Sequence, residues 1–261
     1  MGSIKQINES ILASLCELDV TQWYLEEMKN SLCGRLFQHV TFSHSQDFEL
    51  KIDNHSAFLI NEKNVNISPE IEKIYVPPLS IACYPEFKIN EWRKNMESDA
   101  WLRRGVKALL RTVDIQLIKI LIESNECLIQ EKDYNPDTVI MSATAYKNQF
   151  GAAIDILSDI RAYLIPTAGS VPYNFADNLK NAPVDWVVER QHDGKRILVT
   201  NLISDDKIIE CGAKCLGVFC SRDKVFAYPI PAAKKLKLGV VISDEIGLCV
   251  YDTSGYSVLS V

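Results

Sequence analysis

The stretch DAWLRRGVKALLRTVDIQLIKIL, residues 99–121, carries the strongest local signal in this sequence. Its apolar side chains recur at helical spacings of three and four residues; they are Leu102, Val106, Leu109, Leu110, Val113, Leu117, Ile120 and Leu121. Ser98 or Asp99 can cap the first turn, and no Gly or Pro follows Gly105. The pattern predicts one helix over residues 98–124, which at about 25 residues is roughly 37 Å long. Its apolar stripe must be covered along its whole length.

The polar face of the same helix is basic, because Arg103, Lys107 and Arg111 follow one another at spacings of four. Like charges in a row repel one another, so an anionic partner should face them. That partner is either an acid of the same solvated face, Asp99 or Asp114, or it lies outside the subunit. An outside partner would be an acidic patch of another subunit or packaged nucleic acid. The three basic residues are therefore candidate inter-subunit or DNA-facing contacts.

Upstream of this helix the pattern predicts two shorter helices and a hairpin. The first helix covers residues 4–18, and a second begins near Trp23 and stops at Gly34. Between residues 40 and 74 apolar and polar residues alternate, which predicts a long polar hairpin, with a flexible surface loop as the alternative. A two-stranded hairpin is marginal in water on its own. We therefore expect residues 46–76 to make few contacts within their own subunit and to pair with a neighbouring one.

Strands dominate the rest of the chain. Residues 74–92, IYVPPLSIACYPEFKINEW, alternate but are interrupted by three prolines, which favours an edge strand or a bend. We predict a buried strand over residues 139–141, a helix over 146–157 and an irregular loop over 164–188. The Asp193-Gly194 pair predicts a turn before a strand at 196–200. Further strands are predicted at 213–220, 225–228, 238–242, 248–251 and 257–261.

Composition describes an ordinary soluble globular chain. Of 261 residues, 47% are hydrophobic and 24% are charged, with a formal net charge of −6. This mild acidity disfavours a dedicated nucleic-acid-binding protein. The start of the chain has no apolar segment of a secretory signal, and no apolar run is long enough to span a membrane.

The cysteines predict no special chemistry. The eight are scattered without a CxxC pair, so reduced thiols are expected. Cys211, Cys215 and Cys220 are spaced like no standard zinc site, and we interpret them as small buried hydrophobes that bind no metal.

Motifs for catalysis are missing from the sequence. It contains no GxGxxG, GxxxxGK[ST], HExxH or GxSxG pattern. Neighbouring carboxylates such as Asp205 and Asp206 point apart on a regular element, which argues against paired acid–base work. A Cys–His pair assembled in space stays open. We predict no catalytic, cofactor-binding or metal-ligating residue and no cofactor, with a cytosolic enzyme of unknown reaction as an alternative.

The order of segments resembles one particular family. A helical arm, an extended hairpin, a strand, a long helix and a closing α/β part follow the plan of the tailed-phage major capsid fold, the Hong Kong phage type, which encapsulin shells share. The closest local likenesses are residues 74–92 with the long helix, PDTVIMSATAYKNQF at 136–150 and GVVISDEIGLCVYDTSGYSVLSV at 239–261. The phrase SLCGRLFQHV, residues 31–40, is similar to the segment that leads into the hairpin of encapsulins.

The resemblance implies an α+β fold with four parts. Residues 1–45 would form the N-terminal arm and residues 46–78 the extended loop. Residues 79–134 and 237–254 would form the peripheral domain, with the long helix as its spine. Residues 135–236 and 255–261 would form the axial domain. Neighbouring subunits would then cover part of the apolar stripe of the spine.

The implied function is that of a structural major capsid protein, not an enzyme. It would assemble into hexamers and pentamers of an icosahedral shell around double-stranded DNA held without sequence specificity, and no membrane would be involved. With only about 40 residues before the hairpin, a separate scaffolding protein is expected, along with a portal and decoration proteins. The location would be the virion, assembled in the host cytoplasm. The short link at residues 125–136 favours a phage, whereas SLCGRLFQHV favours an encapsulin-type compartment enclosing a cargo enzyme. Lys51, Lys63 and Lys73 are crosslinking candidates by location only, and no bond is predicted.

Overall fold

A computed structural model describes residues 18–54, 70–83, 86–88, 98–125, 136–156, 185–212, 216–230, 237–250 and 255–260. The helices are α1 (Thr21–Met28), α2 (Leu32–Leu36), α3 (Ser98–Asn125) and α4 (Ala143–Phe150). The first six strands are β1 (Leu18–Asp19), β2 (Phe37–Phe42), β3 (Glu49–Asn54), β4 (Glu70–Tyr75), β5 (Leu79–Cys83) and β6 (Glu86–Lys88). The others are β7 (Thr138–Met141), β8 (Val187–His192), β9 (Lys195–Thr200), β10 (Lys207–Cys211), β11 (Gly217–Arg222), β12 (Phe226–Ile230), β13 (Lys237–Val250) and β14 (Tyr256–Ser260). The predicted α+β class is confirmed.

The first sheet is organised around the 14-residue strand β13. Ile246 pairs with Ser221 of β11 and also with Leu79 of β5, while Ile242 pairs with β12 and β5. Because a strand has only two edges, β11 and β12 must lie in line along one edge of β13, with β5 and β6 along the other. Beyond them, β2 runs parallel to β11 and β1 antiparallel to β12.

A β-bulge separates β11 from β12. Ser221 lies opposite Ile246 and Phe226 lies opposite Ser243, so the four residues 222–225 face only two, 244 and 245. The bulge is tied to the segments around it by backbone hydrogen bonds. The Asp223 N–H donates to the Phe42 carbonyl, and the Val20 N–H donates to the Val225 carbonyl, both at 2.9 Å.

The second sheet has the strand order β14-β10-β7-β9-β8. Only β7 and β9 run parallel, and the remaining neighbours are antiparallel. The predicted turn at Asp193-Gly194 is confirmed, since both residues have a positive φ (49° and 79°) as a tight hairpin turn requires. The buried strand at 139–141 is confirmed as β7, whose four residues are all buried.

The spine helix is confirmed as α3, and its apolar stripe forms the centre of the main core. Leu102, Val106, Leu109, Leu110, Val113, Leu117 and Leu121 are all buried. The helix packs against α1, α2, β5, β13 and β14 of its own chain. The expectation that neighbouring subunits must cover part of this stripe is therefore wrong for these residues.

The predicted N-terminal arm covered residues 1–45. From here on, the name arm refers to the described residues 18–36, whose helices differ from the predicted ones. Leu18 belongs to β1 and not to a helix, and residues 1–17 lie outside the described residues. The second predicted helix is divided into two helices, α1 and α2. The division occurs because Ser31 is extended, and its side chain accepts a hydrogen bond from the Gly34 N–H (3.2 Å) at the start of α2. Gly34 is thus inside α2 and does not stop a helix. It permits a close approach, since a Cβ there would lie 2.1 Å from the Met28 carbonyl oxygen.

Other predicted boundaries are corrected by the pairing. The strands predicted at 238–242 and 248–251 are one strand, β13, because β5 holds residues 242–246 extended. The helix predicted over 146–157 is α4, which ends where Gly151 adopts the left-handed conformation (φ 72°). The predicted strand 213–220 is β11, whose bounds are Gly217–Arg222. Strands β8 and β10 were not predicted. Of the loop predicted over 164–188, residues 164–184 lie outside the described residues, and Val187 and Val188 belong to β8.

The division into peripheral and axial domains stays a prediction, but sheet membership can be stated. Strands β11 and β12, placed by the sequence in the axial part (135–236), pair with β13 and β2 of the first sheet. Strand β14 pairs with β10 of the second sheet, in line with its placement there. The described residues contain no helix long and apolar enough to cross a membrane.

Candidate functional site

The predicted hairpin exists, and within the described residues it forms a sheet of its own. Strands β3 and β4 pair antiparallel from Glu49↔Tyr75 to Asn54↔Glu70. Among the described strands, neither pairs with any other. Residues 55–69, which connect them, lie outside the described part. The pairing confirms a hairpin and not a loop over these twelve residues.

The base of the hairpin packs on the first sheet. Phe48 and Val76 are buried together with Val218 and Cys220 of β11, and half-buried side chains of β2, β3 and β4 surround them. The Val76 N–H donates to the Phe48 carbonyl at 2.9 Å. The expectation of few contacts within the subunit is therefore wrong for the base. A Cβ on Gly247 would lie only 2.7 Å from the Val76 side chain, so the base sits directly on this glycine of β13.

Arg222, the first residue of the bulge, anchors the segment that enters the hairpin. Its Nη1 donates to the carbonyl oxygens of Ser43 at 2.8 Å and Gln46 at 2.5 Å. Its Nε donates to Glu245 at 2.9 Å, and Nη2 binds the same carboxylate. The guanidinium also lies over the Phe48 ring, 4.6 Å from its centroid. One side chain thus joins the bulge, β13 and the hairpin base.

The two faces of the hairpin differ. Leu50 lies opposite Ile74 on the face that joins the apolar base. On the other face Lys51 lies opposite Lys73, a like-charge pair that opposes pairing. Glu49 offsets part of this repulsion through an ion pair with Lys73 at 2.9 Å. Tyr75, on the same face, is 58% exposed. This outer face presents Lys51, Lys73, Glu49 and an aromatic ring toward solvent.

Two basic residues of the spine, Arg103 and Lys107, find acids within the same subunit, and these are not the acids considered from the sequence. Arg103, 44% exposed, pairs with Glu26 of α1 at 3.3 Å and lies over the Trp23 ring. Lys107, 23% exposed, binds Glu27 at 3.3 Å and Asp185 at 3.1 Å. Burial alone would lower the pKa of Lys107, but Asp185 and Glu27 raise it. Contact of these residues with a neighbour or DNA stays a prediction.

Arg111 is half-buried one turn further along the spine. Its predicted contact with another subunit or with DNA also stays a prediction.

Asp114 has a role that the sequence did not indicate. It is fully buried, and its carboxylate accepts hydrogen bonds from the backbone N–H groups of Leu32 (2.8 Å) and Cys33 (2.9 Å). These N–H groups are the free donors at the start of α2. The indole Nε1 of Trp186, beside β8, donates to the same carboxylate at 2.7 Å. Burial raises the pKa of Asp114 to about 6, although the three hydrogen bonds act in the opposite direction. Asp114 therefore joins spine, arm and second sheet.

Glu189 of β8 makes a second tie between the arm and the second sheet. It binds Arg196 at 2.9 Å and Arg35 of α2 at 2.5 Å. These two arginines, with the hydrogen bond from Arg196 as the largest influence, lower the pKa of Glu189.

The cysteines and polar clefts do not form a site with evident chemistry. Cys211 and Cys220 are buried, and burial raises the pKa of their thiols to about 12 and about 11, which keeps them protonated. Cys215 lies outside the described residues, which contain no group of three metal-ligating side chains. A cleft of about 330 Å³ on the outer face of the bulge is lined by His44, Arg222, Lys224 and Glu245, among others.

Comparison with solved structures finds chains of similar fold. It is similar to the virus-like particle of Pyrococcus furiosus at 15% identity and a TM-score of 0.48, over 92% of this chain and 98% of that one. The capsid of a native GTA particle matches at 11% identity and a TM-score of 0.47, over 87% and 89%. The mature capsid of bacteriophage PhiM1 matches at 11% identity and a TM-score of 0.46, over 88% and 87%. No protein-family model matches the chain, and no curated protein matches its sequence. The likeness to capsid structures that the sequence predicted is thus found in the structure as well.

Proposed function

We propose that this chain is the major capsid protein of a tailed phage, a structural subunit that assembles into an icosahedral shell around the viral genome. The hairpin β3–β4 carries the proposal. It is fixed firmly at its base by Arg222 and the apolar cluster, while beyond the base its two strands pair only with each other among the described residues. Such a ribbon is marginal in water, and a neighbouring subunit would supply the missing burial.

Two lysines on the outer face of the hairpin would suit carboxylates of a partner surface. Lys51 and Lys73 face outward together, and a chain of net charge −6 offers many carboxylates on neighbouring copies. Of the three basic spine residues, Arg103 is the one exposed enough to reach a neighbour or DNA, whereas Lys107 also ties α1 to Asp185. Repeated heterologous contacts of this kind either close by symmetry or run on as a filament, and the proposed shell is the closed outcome.

Within this proposal the partners are those of a phage particle. The subunits form hexamers and pentamers, a separate scaffolding protein guides them, and a portal and decoration proteins complete the virion. Double-stranded DNA is packaged without sequence specificity. The protein is located in the virion, which assembles in the host cytoplasm.

The test is to shorten the hairpin without touching its base. Because Asn54 pairs with Glu70, replacing residues 55–69 by Asn-Gly closes β3 and β4 with a two-residue turn. We expect a soluble chain with the circular dichroism and thermal unfolding of the wild type, but no particles by negative-stain microscopy. Asp193→Asn, which places Asn-Gly in the exposed β8–β9 turn, is the matched control and should still form particles.

Two results would contradict the proposal. One is a shortened variant that forms particles like those of the wild type. The other is a wild-type chain that stays monomeric at high concentration with any scaffolding partner supplied.

The alternative is an encapsulin-type compartment around a cargo enzyme, favoured by the lead-in SLCGRLFQHV to the hairpin. The contents of purified particles distinguish the two functions. Nuclease-protected double-stranded DNA supports the capsid, and a co-purified enzyme supports the compartment. Neighbouring genes for a portal and a terminase, or for a ferritin-like protein or a peroxidase, discriminate in the same way.

A further inference from the structure

Four acidic groups lie together in the core where the arm meets the spine and the first sheet. We call Tyr24, Cys33, Asp114 and Asp244 the acid cluster. All four are buried, Asp244 with 6% of its surface exposed and Asp114 with none. The Tyr24 hydroxyl lies within the electrostatic reach of both aspartates and of Cys33. Ionisable groups held in a dry core rarely serve stability alone, because each charge that forms there is costly.

The two aspartates of the acid cluster differ in how they are satisfied. Asp114 accepts three N–H hydrogen bonds, so its ionised form is well solvated by the protein. Asp244 is held less tightly: the Arg222 backbone N–H donates to it at 3.3 Å, and the backbone N–H of Glu245 also lowers its pKa. Its Oδ2 and the neighbouring Tyr24 hydroxyl are both buried and make no hydrogen bond within 3.5 Å in the described part of the chain, although the hydroxyl is near enough to lower the pKa of Asp244. Ionisation therefore costs more free energy at Asp244 than at Asp114.

The cations near Asp244 offset only part of its charge, because Arg222 lowers the pKa of Asp244 less than burial raises it. The Arg222 guanidinium is committed to Glu245 and to two backbone carbonyls. His44 and Lys224 line the cleft that Asp244 also borders, but His44 lies 3.5 Å from Asp223 and Lys224 lowers the pKa of Asp19. On the inner face, α1 presents the uncharged Tyr24, and β5 places Ile81 opposite Asp244. An ionised Asp244 thus faces the uncharged Tyr24 and shares Arg222, the cation that lowers its pKa, with Glu245.

We propose that Asp244 is a proton-operated latch for the arm, which holds α1 against β13 while it is protonated and releases α1 when it ionises. Helix α2, fastened by the well-satisfied Asp114, stays in place. The latch goes beyond the proposed shell function, since it acts within a single subunit.

The direction of the pH dependence follows from the burial of Asp244. Burial raises the pKa of this carboxyl group from 3.8 to about 7. The docked arm therefore binds the proton more tightly than an undocked one, and this advantage is complete below pH 3.8 and lost as the pH rises through about 7. If undocking exposes the carboxyl group to water, the opening of α1 becomes up to about a hundredfold more favourable between pH 5 and pH 8.

Hydrogen exchange on the full-length chain tests the latch. Protection factors of residues 21–28, corrected for the intrinsic exchange rate at each pH, should fall by about tenfold or more from pH 5 to pH 8. Those of residues 32–36 should fall less, because the pKa of Asp114 is raised only to about 6. Asp244→Asn, which cannot ionise, should remove the pH dependence in α1, whereas Asp205→Asn at an exposed turn should leave it intact.

A second variant keeps the test decisive if Asp244→Asn does not fold. The Tyr24 hydroxyl lowers the pKa of Asp244, so Tyr24→Phe should move the midpoint of the protection loss to higher pH. Protection that is flat from pH 5 to pH 8 in the wild type overturns the latch. An unchanged transition in Asp244→Asn, or an unshifted midpoint in Tyr24→Phe, overturns it equally. Because the readout is local to the subunit, these outcomes are separate from the presence or absence of particles.

Discussion

The substitution Arg222→Met isolates the anchor of the hairpin, because it keeps most of the aliphatic stem and removes the guanidinium. Two hydrogen bonds to the carbonyls of Ser43 and Gln46 are lost, at about 1 kcal/mol each. The contact with the Phe48 ring adds about 0.5–1 kcal/mol. The ion pair with Glu245 adds less than about 0.5 kcal/mol, since that carboxylate is about half exposed. We expect the free energy of unfolding to fall by about 3 kcal/mol.

The measurement is the urea midpoint at constant m-value, followed by microscopy of the assembled material. Arg190→Met is the matched control, because Arg190 is exposed and donates only to the neighbouring Glu189 carbonyl. Its free energy of unfolding should change by no more than about 0.5 kcal/mol. If the two variants have the same midpoint, or if Arg222→Met assembles like the wild type, Arg222 does not anchor the hairpin.

Three further substitutions test other ties of the fold. Gly247→Ala should lower the urea midpoint and the yield of particles, because its Cβ would lie 2.7 Å from Val76 and push the hairpin base off the sheet. Trp186→Phe removes one donor from the buried Asp114 and should cost about 1–3 kcal/mol in urea unfolding, and an unchanged midpoint would show that the indole N–H is dispensable. Glu189→Gln tests pH dependence. Because the pKa of Glu189 is lowered from its ordinary value of 4.5, its carboxylate stabilises the fold above pH 4.5. This stabilisation is lost as the pH falls through the lowered pKa. Thermal unfolding of Glu189→Gln should therefore differ from the wild type at pH 7 and converge with it in acid, and a constant difference would contradict the reasoning.

The sequence predicted those elements whose pattern is local and long. The stripe from Leu102 to Leu121 spans five turns with helical spacing, so α3 could be predicted almost to its ends. The Asp193-Gly194 turn and the buried β7 were equally recognisable, since one depends on two residues and the other on a continuous apolar run. The α3 bounds moved by a single residue.

Elements that depend on distant pairing were missed. Asp244, Glu245 and Gly247 look like a turn, yet β5 and β11 hold them extended as the middle of β13. Strand β10 is short and follows two aspartates, and its pairing with β7 and β14 is what makes it a strand.

The site residues show the same division between local and distant causes. The basic spine residues were visible from their spacing, but their acids on α1 and near β8 come from more than 70 positions away. Asp114 shares its helix with these residues and was one of the two acids considered as their partner on a solvated face. Its burial depends on the docking of α2 and Trp186, which no spacing in the spine encodes. Arg222 is an isolated arginine after a strand, and nothing local indicates that the carbonyls of Ser43 and Gln46 converge on it.

The bulge at residues 222–225 has a mechanical consequence. Within these four residues Arg222 grips the hairpin, Asp223 holds the end of β2, and Val225 exchanges hydrogen bonds with Val20 and Thr21 of the arm. A force applied to the hairpin therefore acts on the same short segment to which the arm is bonded. A close-packed interior is poorly compressible and transmits such strain. The hairpin and the arm are therefore mechanically coupled, because both are held by this one short segment. Lengthening or shortening that segment by one residue would disengage both at once.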